Sequence, residues 1–212
     1  MVIRRLARGS IVGDQTFRRH GAEGARAVSG TVARIHRDAY AERMVPGDLF
    51  SGQDAFMQRF DAYTVRPEFD MVIAYRDGEP VGQAWGWPLG RHSGDAWWLG
   101  LLEEPEPGFT REDGARTFAL SEIMVGREWA GQGVGRALHD ELLSARPEAR
   151  AVLLVRPHNT TAYRAYTGWG WRKAGALRPN VPHAPDMDVL ITPLPISPPP
   201  KLPPAVIMQK SA

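Results

Sequence analysis

The chain has no cysteine among its 212 residues. That absence excludes disulfides, thiolate metal sites and a cysteine nucleophile together. Its histidines, at 20, 36, 92, 139, 158 and 183, are scattered, and no two stand at metal-ligand spacing. No metal is therefore expected. Long hydrophobic runs are also missing: nothing approaches the roughly 20 consecutive apolar residues that cross a bilayer. Arg4 and Arg5 are not followed by an apolar stretch of signal-peptide length. The expectation is a cytoplasmic protein with no membrane partner. Lysine is scarce, at 173, 201 and 210 only, so the basic side chains are nearly all arginine. Net charge is only +2 and no basic cluster is interleaved with aromatics, which argues against nucleic acid as a partner.

What is present suits one globular domain with tails: 43% hydrophobic and 24% charged residues. Residues 1–14 read as a leader or an added edge strand, and 16–20 as a short strand. Over 23–42, Ala27, Val28, Val32, Ile35 and Ala39 share a helical face. A second helix is predicted over 51–63, with Ser51 as N-cap and Phe56, Phe60 and Tyr63 on one face. Strands at 69–75 and 81–87 flank the tight turn Arg76-Asp77-Gly78-Glu79. Residues 88–115 read as one long loop rich in Gly and Pro. A strand over 116–125, a helix over 134–144, a strand over 151–155, a helix over 159–167 and strands over 171–177 and 187–191 follow. Seven of the 18 prolines lie between Pro193 and Pro204, so residues 195–212 read as a polyproline-like tail behind a domain of 15–194.

The informative segment is Leu120-Ser121-Glu122-Ile123-Met124-Val125, followed by Gly131-Gln132-Gly133-Val134-Gly135-Arg136-Ala137-Leu138. A strand runs into glycines, and the glycines run into a helix. The first N–H groups of a helix have no internal partner, the peptide dipoles place about half a positive charge there, and glycines let an anion approach. That is a cradle for a diphosphate. A P-loop needs Lys then Ser/Thr after its last glycine, which Arg136-Ala137 does not supply. A dinucleotide fingerprint needs G-x-G-x-x-G, and the spacing here is G-x-G-x-G. A third ligand, coenzyme A, needs the cradle and an extended partner for its pantetheine arm.

These residues resemble the acetyl-CoA motif of the GCN5-related N-acetyltransferase (GNAT) superfamily. A second block, Leu154-Val155-Arg156-Pro157-His158-Asn159 with Ala162, Tyr166, Gly170 and Trp171, is similar to the family's next motif in the same order. The two blocks span residues 120–171. The resemblance implies an α+β GNAT fold: a central, mixed, mostly antiparallel sheet flanked by helices, with acetyl-CoA in a cleft between splayed central strands. It implies an acetyl-CoA-dependent N-acetyltransferase acting on a primary amine of a small molecule or peptide by direct transfer. Relatives often pair, so a homodimer is an expectation too.

The resemblance also assigns roles. Ile123, Met124 and Val125 pair with the pantetheine, and the Val125 N–H polarises the thioester carbonyl. Gly131, Gln132, Gly133, Val134, Gly135 and Arg136 hold the pyrophosphate, and Asn159 bonds the pantetheine region. Tyr166 lies seven residues after Asn159, about two helical turns on, and is the candidate general acid. An ordinary tyrosine is a weaker acid than a thiol by about 2 kcal/mol, so the role asks for a site that lowers its pKa; a satisfied core tyrosine is the competing reading. Glu122 is the candidate general base and would need burial to raise its pKa; a salt-bridged strand residue is the competing reading. Some relatives carry a base at the position of Leu154, which cannot serve here.

Ala130 departs from the pattern, because the family carries Arg or Gln at the opening of the glycine turn. Gln132 or Arg136 are the residues that can compensate. The alternative function is a non-catalytic acyl-CoA-binding sensor or scaffold. Trp85, Trp87, Trp97 and Trp98, near Glu103, Glu104 and Glu106, suit either a wall for a cationic amine or hairpin packing, and packing is the favoured reading.

Overall fold

The computed structural model describes residues 15–42, 52–180 and 183–196. The expectations for the leader, for Ser51 as a cap and for most of the proline tail lie outside the described residues. Seven strands form one sheet in the order β1-β2-β3-β4-β5-β7-β6. They are β1 (Gln15–Gly21), β2 (Asp70–Arg76), β3 (Glu79–Pro88), β4 (Thr117–Val125), β5 (Arg150–Val155), β6 (Arg172–Leu177) and β7 (Met187–Pro193). Every neighbouring pair is antiparallel except β4 and β5. The architecture is thus the expected α+β sheet with helices on both faces.

The β2–β3 hairpin closes through Asp77 (φ 51°) and Gly78 (φ 83°). Two successive positive φ angles match the right-handed twist of the strands, and Gly78 adopts its angle without a Cβ penalty. Along β2 the side chains alternate between faces. Met71 and Ile73 join a core with Trp85, Trp87, Phe56 and Phe60, while Val72 and Ala74 join one with Val134, Leu138, Leu142 and Leu143. The first core lies under α2 (Ser29–Tyr40) and α3 (Gln53–Thr64), the second under α5 (Val134–Leu143). A strand covered on both sides loses its polar alternation, which is why β2 and β3 are almost wholly buried.

Two irregularities position the site. Opposite Trp85 and Gly86 stand Glu122 and Leu120, so Ser121 is an extra residue in β4. Such a bulge bends a strand and re-aims its side chains. At Gly86 the two backbones close in so far that a Cβ would lie 2.1 Å from the Ala119 carbonyl oxygen. On its other edge, β4 pairs with β5 only through Thr117↔Arg150, Phe118↔Ala151 and Ala119↔Val152. Beyond those pairs the two strands diverge.

The structure corrects several boundaries. The first predicted helix is two: α1 (Ala22–Ala27) and α2, separated at Val28, whose φ of −107° and ψ of 19° leave the helical region. The second begins at Gln53, with Gly52 as its N-cap. The expected loop over 88–115 contains α4 (Arg91–Trp98). That helix forms because Trp98 is buried and donates its indole N–H to Glu112 Oε1 at 3.1 Å. Gly94 faces the same carboxylate side chain, where a Cβ would approach Glu112 to 2.6 Å.

Candidate functional site

The divergence of β4 and β5 opens a cleft of about 840 Å³, within the ordinary range for ligand sites. One wall is Ile123, Met124 and Val125 at the end of β4. The opposite wall is α6 (Thr160–Gly168) with the residues just before it. Tyr40 of α2 and Trp129 also border the space.

Successive residues of an extended strand aim their main-chain groups at opposite edges. The Gly126 N–H donates to the Val81 carbonyl on β3 at 2.8 Å. The Val125 N–H therefore faces the cleft, with nothing from β5 opposite it. Past the diverged end of β4, Gly131 (φ 74°) and Gly133 (φ 83°) are left-handed, and Gly133 is the N-cap of α5. No side chain caps that helix, so its first N–H groups are open to a ligand.

Of the ten residues the sequence nominated for coenzyme binding, Ile123, Met124, Val125, Gly131, Gly133, Gly135, Arg136 and Asn159 line this cleft. Gln132 and Val134 do not. Val134, the first residue of α5, is 1% exposed and turns into the core beside Val72 and Leu138. Gln132 is folded away from the cleft, accepting from Arg76 Nη1 at 3.1 Å and donating to the Glu128 carbonyl at 2.7 Å. Of the two residues that could compensate for Ala130, Arg136 is on the cleft wall. Its Nε donates to both Asp140 oxygens at 2.8 and 2.7 Å. His139 holds Asp140 from the other side: Nε2 accepts from the Trp171 indole at 2.9 Å, so Nδ1 carries the proton and donates to Asp140 at 2.8 Å. Burial lowers the His139 pKa and keeps the ring neutral.

Asn159 is the N-cap of α6, its Oδ1 accepting from the Ala162 N–H at 3.3 Å. Tyr166 lines the cleft two turns along the same helix, with its ring edge-on to Trp169 at 5.6 Å. Its pKa is raised, first by burial and then by the nearby Glu122 charge and by Tyr40. The sequence reading asked for a site that lowers it; the apolar packing here does the opposite. Glu122 is half-buried one residue before the cleft-lining stretch, and Arg59 Nη2 reaches its Oε1 at 3.3 Å. Burial raises its pKa, and the Arg59 charge and hydrogen bond pull against that rise. Tyr63 is also held protonated, by burial and by Glu122.

The tryptophan reading resolves as packing: Trp85, Trp87 and Trp98 are at most 5% exposed. Trp171 is buried as well, while Trp169 borders the cleft. Glu103, Glu104 and Glu106 are exposed. Sequence reasoning passed over Tyr40, Trp129, Arg156 and His158 as cleft residues. The last two flank Pro157 in the second motif and were visible there; Tyr40 gives no local signal.

The sequence profile of the Acetyltransferase (GNAT) family matches residues 33–171. The chain belongs to that family. This GNAT protein is an acyltransferase, and its family uses acetyl-CoA. A search of curated protein sequences finds no match. Solved structures share the fold. The ribosomal-protein-S18-alanine N-acetyltransferase of Escherichia coli aligns over 89% of this chain and 97% of its own, with TM-score 0.55 and 18% identity. The ribosomal-protein-alanine N-acetyltransferase of Brucella melitensis aligns over 84% and 99%, with TM-score 0.56 and 18% identity. The PaiA N-acetyltransferase of Thermoplasma acidophilum, solved in complex with coenzyme A, aligns over 85% and 99%, with TM-score 0.55 and 11% identity. Among the described residues, no helix of this GNAT protein is long and apolar enough to cross a membrane.

Proposed function

We propose that this GNAT acetyltransferase transfers the acetyl group of acetyl-CoA directly to a primary amine of a small molecule or peptide. The observation that carries the reading is the divergence of β4 from β5 beyond Ala119↔Val152, beside an uncapped helix behind left-handed glycines. The residues fit the coenzyme. An extended edge at Ile123, Met124 and Val125 suits an amide-bearing arm, and the α5 N-terminus with Arg136 suits a diphosphate. Arg156 and His158 add basic groups on the opposite wall.

Acetyl-CoA supplies the activated acyl carbon; the protein supplies alignment, an anion donor and proton management. The amine nitrogen bonds to that carbon as the carbon–sulfur bond breaks. Holding the two together can contribute about 7–11 kcal/mol. The Val125 N–H is a fixed donor for the carbonyl oxygen as charge gathers on it, and losing such a donor costs about 2.7–4 kcal/mol. Tyr166 is protonated at rest, because burial raises its pKa; it hydrogen-bonds the departing sulfur and passes it a proton, and the proton that the acylated nitrogen sheds restores the hydroxyl as the thiol leaves. An alkylammonium is neutral in only about one part in two thousand at pH 7. Glu122 takes that proton, through water, and its burial makes it a stronger base than an exposed carboxylate.

A non-catalytic acyl-CoA-binding module remains the second reading. Ala130 motivates it, since it borders the cleft and brings no polar side chain. Thermal shift with acetyl-CoA, combined with thiol release across a panel of amines, separates the two. Transfer requires binding and acceptor-dependent thiol release. Binding without release selects the module, and no binding at millimolar coenzyme removes both.

A further inference from the structure

Arg76 closes β2 and is 8% exposed. A buried cation is costly unless it is well partnered. Among the described residues, its hydrogen bonds go to neutral oxygens rather than to a carboxylate. Nε and Nη2 donate to Gln15 Oε1 at 3.3 and 3.1 Å, and Nη1 donates to Gln132 Oε1 at 3.1 Å. Nη2 also reaches the Gln132 carbonyl at 3.5 Å, and the guanidinium lies 5.3 Å from the centre of the Trp129 ring. The side chain therefore leaves the hairpin and grips the glycine turn at Gln132 and Trp129.

Gln132 stands between Gly131 and Gly133, both left-handed. Glycine visits left- and right-handed conformations about equally, so a turn with two of them has much entropy to lose. Gln132 is the residue through which that freedom is removed. Its oxygen is held by Arg76 and its nitrogen by the Glu128 carbonyl. A restrained turn keeps the first N–H groups of α5 aimed into the cleft before any ligand arrives, and affinity gains by the ordering that binding no longer requires.

We propose that Arg76, acting through Gln132, is a positioning residue for the coenzyme-binding turn. This inference rests on the coenzyme reading above. It explains how a chain with Ala130 at the turn's opening holds a diphosphate largely by main-chain donors: the missing phosphate contact is offset by a turn fixed from behind. Arginine suits the task better than lysine, because one planar fork spans Gln15 and Gln132 while its face covers Trp129.

The test is a double-mutant cycle with Arg76→Ala, Gln132→Ala and the double variant, plus Arg76→Lys. Coenzyme A affinity is read by calorimetry, acetyl-CoA KM and kcat by thiol release, and folding by melting. Each single variant raises Kd and KM about tenfold with kcat within about twofold, the loss expected for a charge-assisted hydrogen bond. The double variant is no weaker than the worse single one, because the two residues act as one unit. Arg76→Lys recovers part of the loss. Amide exchange at 129–134 quickens in the Arg76→Ala and Gln132→Ala proteins. Wild-type binding with unchanged Kd in both single variants overturns the role of Arg76, whatever the melting temperature does. Losses that multiply in the double variant overturn it too. A wild-type protein that fails to bind coenzyme A overturns instead the reading on which the inference rests.

Discussion

Arg59 on α3 places Nη2 3.3 Å from Glu122 Oε1 on β4, with the two side chains 23% and 19% exposed. The pair ties the helical layer to the strand that lines the cleft. It also opposes the effect of burial on Glu122, because a nearby cation favours the ionised carboxylate. In Arg59→Met the desolvation remains and the cation goes, so the Glu122 pKa rises. The acid limb of the kcat/KM profile is expected to move to higher pH. A limb that stays in place removes Glu122 as the base that limits the rate at low pH.

Tyr166→Phe keeps the ring contacts with Trp169 and Trp171 and deletes the hydroxyl. A fall in kcat of about a hundredfold is expected, at the low end for loss of a proton-donating group, with acetyl-CoA KM within about twofold. Because its pKa is raised, the wild-type hydroxyl stays protonated well above neutrality. The basic limb of the wild-type profile should therefore not report Tyr166. Steady-state kinetics from pH 6 to pH 9 check both statements, and an unchanged turnover number returns Tyr166 to the packing reading.

Glu112 is fully buried, and its Oε1 accepts from Trp98, Thr117 and Arg150 at 3.1, 2.9 and 3.1 Å. Glu112→Ala leaves the Arg150 guanidinium, 13% exposed, without its carboxylate. Breaking one side of a buried pair costs about 3–5 kcal/mol. Urea denaturation should show a loss of that order, and exchange protection should fall first in α4 and the segment around Glu112.

His36 and His139 are both fully buried, and burial lowers the pKa of each below the ordinary 6.5. Below pH 6.5 the unfolded chain binds these protons and the folded chain does not. Stability is therefore present above that pH and is lost as the pH falls from there toward the lowered folded values. The melting temperature should drop between pH 7 and pH 5. His139→Gln keeps an acceptor for the Trp171 indole and has no titrating ring, so its melting temperature should fall less steeply over the same interval.

The residues that signalled this architecture are those whose local chemistry leaves little choice. Asp77-Gly78 demands a hairpin of one type, and both angles are as required. The Gly131–Gly135 spacing demands a turn into a helix, and α5 begins at Val134. Asn159 is a natural helix cap and caps α6. The missed features depend on partners distant in sequence. Helix α4 is held by Glu112 and, through it, by Arg150, which no periodicity within 91–98 encodes. The grip of Arg76 on Gln132 spans 56 positions. The raised Tyr166 pKa arises from packing and from Glu122 and Tyr40, brought in by two other elements.

A flat array of seven strands ordinarily has two rims. Here a third lies inside it, because β4 and β5 touch through only three residue pairs at one end. The sheet is thus two wings joined by a short ladder at Thr117, Phe118 and Ala119, with the unpaired edge of β4 facing α6 and the residues before it across the gap. A ligand that carries amides of its own is the kind of molecule such a free strand edge can pair with. An occupant paired with β4 and held by α6 would add to the cohesion of the two wings, so saturation with coenzyme should slow amide exchange along that short ladder.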